Sequence, residues 1–241
     1  MGHGAWFHTT AATSSADVLY AVQKGDLYRA SPVDGHYTKL SSGWGDTKCL
    51  AYHGGLVYII YKSDGRLFLY SVDPISDPHG WTKKQELPGS TARCMVSRGA
   101  RLYYVADEYL YILDPVHGGA PTSLTSVWGG ASCMTTLDDY LYIVADSVLY
   151  RVDPDNGQPK GNFDGYSNTP CMCSYDHNLY LVQNVDLYRV DGITGIYKDL
   201  SKPAGTWHDS TVMTTTVNDL YIVQNGNLYR VNPNTGDWSK L

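Results

Sequence analysis

Several polar side chains in this chain have the chemistry of a catalytic site, although they lie far apart in the sequence. They fall in five of six short, variable segments, which stand at one fixed place in a repeated unit: His8, Asp46, Lys48, Arg93, Asn168, His208 and Asp209. His8 or His208 could act as a general base near neutral pH, with Asp46 or Asp209 orienting the ring. Lys48 or Arg93 could stabilise developing negative charge. The set fits a metal-independent lyase, cyclase or hydrolase, if the fold brings the segments together.

Aromatic residues at the start of each segment offer a different chemistry. Fourteen residues before a recurring tyrosine stands an aromatic in five of six copies, namely Trp6, Trp44, Trp128, Tyr166 and Trp207, whereas the third copy has Gly89. Each ring could stack on the apolar face of a sugar, and several equivalent weak sites would give avidity on a glycan surface. The alternative is structural, because large aromatics supply much of the buried area of a core and would separate adjacent repeats.

The familiar catalytic and metal-binding motifs are absent from the sequence. It contains no nucleophile elbow, P-loop, HExxH or glycine-rich dinucleotide loop, so we expect no cofactor. Asp73, Asp114, Asp153 and Asp191 share one repeat position, where a carboxylate accepts backbone N–H bonds in a turn. Asp153–Gly157 has a partial likeness to a calcium loop but lacks the distal glutamate, so we expect no metal site.

The elements that must position these residues follow from an internal repeat. A Leu-Tyr (once Val-Tyr) followed by an apolar run, a tight turn and a second Leu-Tyr recurs every 38 to 45 residues, with first tyrosines Tyr20, Tyr58, Tyr103, Tyr142, Tyr180 and Tyr221. A fixed period in this range indicates a repeat architecture. The repeat runs from end to end without a linker, which predicts a single domain over residues 1–241.

The last copy shows most clearly what one repeat contains. Leu220–Gln224 reads as a strand, Asn225-Gly226 as a type I′ hairpin turn, and Leu228–Val231 as the returning strand. A turn at residues 233–236 precedes a short strand at 237–241, and a further strand precedes each Leu-Tyr. Six four-stranded antiparallel units without helices predict an all-β fold, a six-bladed β-propeller.

Composition and cysteine usage limit the class of protein and its partners. The net charge is −6 with 17% charged residues, so no basic face for nucleic acid is expected, and no apolar run is long enough to span a bilayer. Residues 1–4 lack the features of a signal peptide. Cys49, Cys94, Cys133 and Cys171 share one repeat position, with Cys173 two residues on, so we expect small reduced core residues that favour a cytoplasmic location, although the compartment stays open.

The repeat resembles two families of small-repeat β-propellers. The ending Leu-Tyr-Arg-Val-x-Pro-x-x-Gly is kelch-like and occurs twice, at Leu149–Gly157 and Leu228–Gly236. Gly54-Gly55 matches the kelch glycine doublet. The short period and the inner-strand tryptophans are similar to tectonin-type lectin propellers, with Trp44-Gly45 and Trp128-Gly129 nearest to their motif. The resemblance implies a propeller architecture, and no binding residue is carried across from either family.

These observations favour a non-catalytic ligand-binding propeller, in particular a carbohydrate-binding lectin. Its candidate ligand-binding residues are Trp6, Trp44, Trp128, Tyr166, Asn168 and Trp207. The first alternative is the metal-independent enzyme, with its site at the mouth of a central channel. The second is a protein-interaction scaffold. The expected ligand is a glycan or a small molecule, and a protein partner belongs to the scaffold hypothesis.

Overall fold

The computed structural model of the protein describes residues 6–241, and the residues 1–4 considered above for a signal peptide lie outside that range. It contains 24 strands in six four-stranded antiparallel sheets, and no helix in the described range. The predicted six-bladed β-propeller is therefore confirmed. No segment of residues 6–241 forms a helix with the length and hydropathy to cross a membrane.

Each blade is formed by four consecutive strands. Blade 1 contains β1 (Thr9–Ser14), β2 (Leu19–Gln23), β3 (Asp26–Ala30) and β4 (Tyr37–Ser42). Blade 2 contains β5 (Thr47–His53), β6 (Leu56–Ser63), β7 (Arg66–Asp73) and β8 (Asp77–Leu87). Blade 3 contains β9 (Ala92–Arg98), β10 (Arg101–Ala106), β11 (Tyr109–Leu113) and β12 (Thr122–Thr125).

The second half of the ring repeats this order. Blade 4 contains β13 (Ala131–Leu137), β14 (Tyr140–Ala145), β15 (Val148–Val152) and β16 (Pro159–Asp164). Blade 5 contains β17 (Cys171–Tyr175), β18 (Asn178–Gln183), β19 (Asp186–Val190) and β20 (Tyr197–Asp199). Blade 6 contains β21 (Ser210–Thr215), β22 (Leu220–Gln224), β23 (Asn227–Val231) and β24 (Trp238–Lys240).

The turn chemistry read from the sequence is present in the structure. Asn225 and Gly226 have φ of 46° and 69°, the two positive angles that a type I′ turn requires. At the shared turn position, Asp191 Oδ1 accepts the backbone N–H groups of Ile193 and Thr194 at 2.8 and 2.9 Å. These carboxylates fix the turns between the third and fourth strands, as predicted.

The core lies between the blades, in six clusters that each join two neighbours. The cysteine of one blade packs with the methionine that follows the cysteine position in the next, for example Cys49 with Met95 and Cys94 with Met134. All five cysteines are buried and free, and burial raises the pKa of the Cys49 thiol to about 12. The expectation of reduced core cysteines is confirmed.

Three of the six recurring first tyrosines join one blade to the next through their hydroxyl groups. Tyr58 donates to the Pro115 carbonyl at 3.4 Å, Tyr142 to the Gly192 carbonyl at 3.1 Å and Tyr221 to the Pro32 carbonyl at 3.0 Å. The last of these joins blade 6 to blade 1. Because each blade is continuous in sequence, side-chain packing and such bonds close the ring.

Candidate functional site

The two faces of the ring differ in the loops that they carry. The top face carries the hairpins between the second and third strands of each blade. It also carries the loops that lead into each inner strand, which we call the leading loops. The opposite face is the bottom face. Backbone hydrogen bonds fix most of the leading loops at two points. In five blades the backbone N–H of the leading aromatic residue donates to the hairpin of the preceding blade, as from Trp44 N to Gly25 O at 2.8 Å. In five blades a later carbonyl accepts from the hairpin of its own blade, as Asp46 O does from Lys62 N at 3.1 Å.

The aromatics that begin these loops are buried between blades. The exposed fractions are 6% for Trp6, 4% for Trp44, 0% for Trp128, 7% for Tyr166 and 0% for Trp207. In three interfaces the indole packs edge-on to the second tyrosine of its blade, as in the 5.4 Å contact of Trp128 with Tyr150. All five rings therefore contribute to the core between the blades, and their predicted role as stacking sites for a sugar stays a prediction.

Hydroxyl side chains on the preceding strand lock two of the tryptophans. Trp44 Nε1 donates to Ser41 Oγ at 2.8 Å, and Trp128 Nε1 donates to Thr125 Oγ1 at 2.7 Å. Thr125 in turn donates to the Gly157 carbonyl at 3.1 Å. These rings are fixed components of the scaffold.

The interface between blades 4 and 5 is different because it holds Tyr166 in place of tryptophan. A cavity of about 370 Å³ opens there, and we call it the aromatic slot. Four aromatic rings line it together with polar groups: Phe163, Tyr166, Tyr188, Tyr197, Asp164, Gln183 and Asn184. Tyr188 and Tyr197 pack edge to face at 5.6 Å, and Tyr197 is 67% exposed at the rim.

A glycine keeps this slot open. Gly195 has φ +71°, and a Cβ at this position would collide with the Phe163 ring. A side chain here would therefore be strained twice, by its backbone angle and by the contact. Burial raises the pKa values of Tyr166 and Tyr188, so both hydroxyls stay protonated and able to donate at neutral pH.

The slot continues toward the axis through a second hollow of about 540 Å³ on the top face. Tyr166 and Asn184 line both spaces. Asn168 Nδ2 donates to Asn184 Oδ1 at 3.1 Å, and the Asn184 N–H donates to Asn168 O at 2.9 Å. The hollow also contains Asp146 and Asp209, so Asn168 and Asp209 of the predicted set reach one groove.

A third space, of about 270 Å³, is the top mouth of the central channel. Lys48 and Arg93 line it, together with Thr10, Ser132, Pro170 and Thr211 from the other four blades. In five blades the residue at the mouth is the extra residue of a β-bulge, for example Lys48 between the pairs Thr47–Tyr61 and Cys49–Ile60. A bulge redirects a side chain from the sheet, which explains why these residues face the axis.

Apolar side chains form the floor of this mouth. The ring Ala12, Leu50, Met95, Met134, Met172 and Met213 lines both the top mouth and the bottom mouth, and we call it the methionine floor. It separates the cationic top from a bottom mouth that contains hydroxyls such as Ser14 and Ser97.

The histidines and the carboxylates of the predicted catalytic set do not converge. His208 lies against Asn225 Nδ2 at 3.1 Å and the Gly205 carbonyl at 3.4 Å, and both partners belong to its own loop region. His8 and Asp46 are exposed loop residues, and neither lines the channel mouth. Within residues 6–241 no hydrogen bond joins either histidine to Asp46 or Asp209. Of the six predicted catalytic residues, the structure therefore brings only Lys48 and Arg93 to the axis.

Side chains suited to metal binding are also dispersed. The part of the chain that the structure describes holds no group of three or more histidine, cysteine, aspartate or glutamate side chains that could ligate a metal ion. Asp153, in the partial calcium motif, accepts the Asp155 N–H at 2.9 Å and pairs with Lys160 at 3.2 Å. It therefore has the same turn role as its counterparts.

The residues that sequence reasoning missed are those of the aromatic slot, namely Phe163, Tyr188, Tyr197, Gln183 and Gly195. One feature of the sequence points to them: the fifth repeat is the only one whose inner aromatic residue, Tyr166, is smaller than tryptophan. A smaller ring in an otherwise equivalent interface leaves space.

Comparison with known proteins supports the architecture. No protein-family model and no curated protein sequence matches this chain. Among solved structures, a chain of the nidogen/laminin complex is similar with a TM-score of 0.70 and 15% identity, covering 90% of this chain and 86% of that one.

Two further solved structures give the same result. Virginiamycin B lyase from Staphylococcus aureus has a TM-score of 0.67 and 13% identity, covering 97% of this chain and 84% of its own. The WD40 propeller domain of Doa1 has a TM-score of 0.65 and 12% identity, covering 92% of each chain. Identities this low show a shared propeller fold, and fold alone does not determine function.

Proposed function

We propose that this protein is a non-catalytic propeller that binds a carbohydrate in the aromatic slot between blades 4 and 5. The observation that carries the proposal is the slot itself, a cavity of about 370 Å³ lined by four aromatic rings and by carboxamide and carboxylate groups. Its volume lies within the range of about 300–1,000 Å³ that is usual for small-ligand sites.

The lining matches the two kinds of surface on a sugar. The C–H face of a pyranose packs on aromatic rings, and Tyr197 at the rim and Tyr188 beside it present such rings at right angles. Sugar hydroxyls both donate and accept, as do the carboxamides of Gln183 and Asn184, whereas Asp164 accepts. The site therefore differs from the predicted one. It retains Tyr166, with Asn168 in the adjoining hollow, and the tryptophans are replaced by the rings that line the opening.

A glycan array with the labelled full chain, followed by calorimetry on the best hit, tests the proposal. Tyr197→Ala removes the exposed ring, and we expect it to weaken binding by about tenfold or more, the equivalent of about 1.4 kcal/mol. Gly195→Ala should also weaken binding because its methyl group projects toward the Phe163 ring. Asn168→Gly keeps the positive φ of 51° and removes the amide that orients Asn184.

The matched control is Trp81→Ala, since Trp81 is another exposed aromatic, 57% accessible, on the outer strand of blade 2. It should bind the glycan like the wild type. Absence of any glycan hit, or equal affinity in wild type, Tyr197→Ala and Gly195→Ala at unchanged Tm, would contradict the proposal.

A protein-interaction scaffold is the second candidate, favoured by an apolar pattern on the bottom face. The same turn position carries exposed β-branched residues in four blades: Val33 at 72%, Ile75 at 71%, Val116 at 64% and Ile193 at 70% exposure. Replacing all four by threonine should abolish capture of a protein partner and leave glycan binding intact. The catalytic alternative has no such support, since no His–carboxylate pair forms among the predicted residues in 6–241.

A further inference from the structure

The top mouth of the channel carries a charge opposite to that of the whole protein. The chain has 24 acidic and 18 basic residues, yet Lys48 and Arg93 are the only charged side chains among the described residues that line this mouth. Asp46, two residues before Lys48, lies outside the lining. Positive charge is thus concentrated where the six inner strands meet.

Both cations are free of carboxylate partners. Neither Lys48 nor Arg93 forms an ion pair anywhere in residues 6–241, although eight such pairs occur elsewhere in that range. Arg93 Nε donates to the Asp107 carbonyl at 3.4 Å, which steadies the side chain without neutralising it. Lys48 is partly buried. Two neighbouring cations in a concave site raise the local potential for an anion.

Hydroxyl groups complete the lining on the other side of the mouth. Thr10, Ser132 and Thr211 donate to strand carbonyls of their own blades at 3.5, 3.4 and 3.4 Å. Bonds of this length are near the limit for an O–H donor, so the hydroxyls gain by turning toward a stronger acceptor. Each of the three is, like Lys48 and Arg93, the extra residue of a β-bulge.

Bulges in five blades at one position are a device that aims side chains at a common point. The exception is blade 5, in which Pro170 stands at the mouth and the strand begins one residue later, at Cys171. The methionine floor lines the lower part of this space, whose volume of about 270 Å³ is just below the usual range of ligand-site volumes.

We propose that the top mouth binds a small oxyanion, the phosphate, sulfate or carboxylate group of a small molecule, held between Lys48 and Arg93 with the bulge hydroxyls as further donors. This site is distinct from the aromatic slot, and it uses other blades for its charges. It does not depend on the proposed carbohydrate function.

Calorimetric titration of inorganic phosphate at constant ionic strength tests the site, with sulfate and acetate as parallel arms and chloride as the blank. We expect the wild type to bind phosphate with a millimolar or lower Kd. In a separate series at higher sodium chloride concentrations, this Kd should rise. Lys48→Gln and Arg93→Gln should each weaken it about tenfold or more, as expected when one charge-assisted hydrogen bond is lost. The double variant should not bind.

Lys24→Gln is the matched control, because Lys24 is an exposed lysine of a top-face hairpin that does not line the mouth. It should bind phosphate like the wild type. Selective binding of phosphate and sulfate would assign a tetrahedral ligand, and equal binding of acetate would assign a carboxylate. No phosphate binding by wild type, or affinity unchanged in the double variant at unchanged Tm, would overturn the proposal.

Discussion

Removing a single oxygen atom from Tyr104 should make the protein more stable. Tyr104 lies on β10 with no exposed surface, and its hydroxyl is buried without a hydrogen-bond partner in the described residues. The other five blades have an aliphatic residue at the same repeat position, namely Ala21, Ile59, Ile143, Leu181 and Ile222. Burial also raises the pKa of Tyr104, so the hydroxyl remains neutral and unpaired over the whole practical pH range.

The expected gain follows from the cost of an unpaired buried polar group, about 1–3 kcal/mol. Tyr104→Phe removes this cost and keeps the stacked contact with Tyr111, whose ring centroid is 5.0 Å away at 15°. We therefore expect stabilisation of about 1–2 kcal/mol. In a chain of this length each kcal/mol raises Tm by about 2–4 °C.

Tyr142→Phe is the matched control because it deletes the same atom where that atom is bonded. The Tyr142 hydroxyl donates to the Gly192 carbonyl across the interface of blades 4 and 5 at 3.1 Å. Its loss should cost about 1 kcal/mol. Calorimetric Tm values measured side by side should therefore move in opposite directions. A Tyr104→Phe protein that melts at or below the wild-type temperature would refute the reasoning.

Two further substitutions test contacts that stabilise the fold. Thr125→Val removes the acceptor of Trp128 Nε1 and the donor to Gly157 O, and it should lower the free energy of unfolding by about 2–4 kcal/mol, measured by urea denaturation. The exposed neighbour variant Ser126→Ala should be neutral, and equal stability of the two would count against the lock on the indole. Asp114 tests pH dependence: N–H donors of His117 lower its pKa to about 2. A lowered pKa means that its stabilising effect is complete above the unfolded value of about 3.9 and disappears as pH falls toward 2. Asp114→Asn should therefore show a shallower loss of Tm between pH 4 and pH 2, and a pH profile parallel to that of wild type would contradict this assignment.

The fold could be predicted because its signals are local and repeated. Asn225-Gly226 specifies its own hairpin, Asp191 its own turn, and the period of the tyrosines counts the blades. The repeat could not show how one blade makes up for the loss of its inner aromatic residue. Gly89 leaves the third copy without its inner aromatic, and Tyr104 on β10 supplies the ring that stacks on Tyr111 instead.

The candidate site was less predictable, because equal positions in a repeat do not give equal directions. Lys48 and His208 belong to equivalent segments, yet Lys48 is the bulged residue that faces the axis, whereas His208 precedes the strand and contacts its own hairpin. The aromatic slot depends on the difference in volume between tyrosine and tryptophan. Both residues belong to the same aromatic group in the repeat pattern, so the sequence did not predict the slot. Its outer wall, Phe163 and Tyr197, comes from strands of two blades.

Each blade is formed by one continuous stretch of sequence. Moving the chain ends to a different point between two blades would therefore leave the order of the blades around the ring unchanged. Within the described residues 6–241 no sheet combines strands from both ends of the chain, and blade 6 meets blade 1 through packing of the same kind as that between all other neighbours. A circularly permuted chain, with the present ends joined by a linker and cut between two other blades, would keep every sheet intact. The aromatic slot would persist in all such permutants except the one opened between blades 4 and 5, whose new termini would lie inside it.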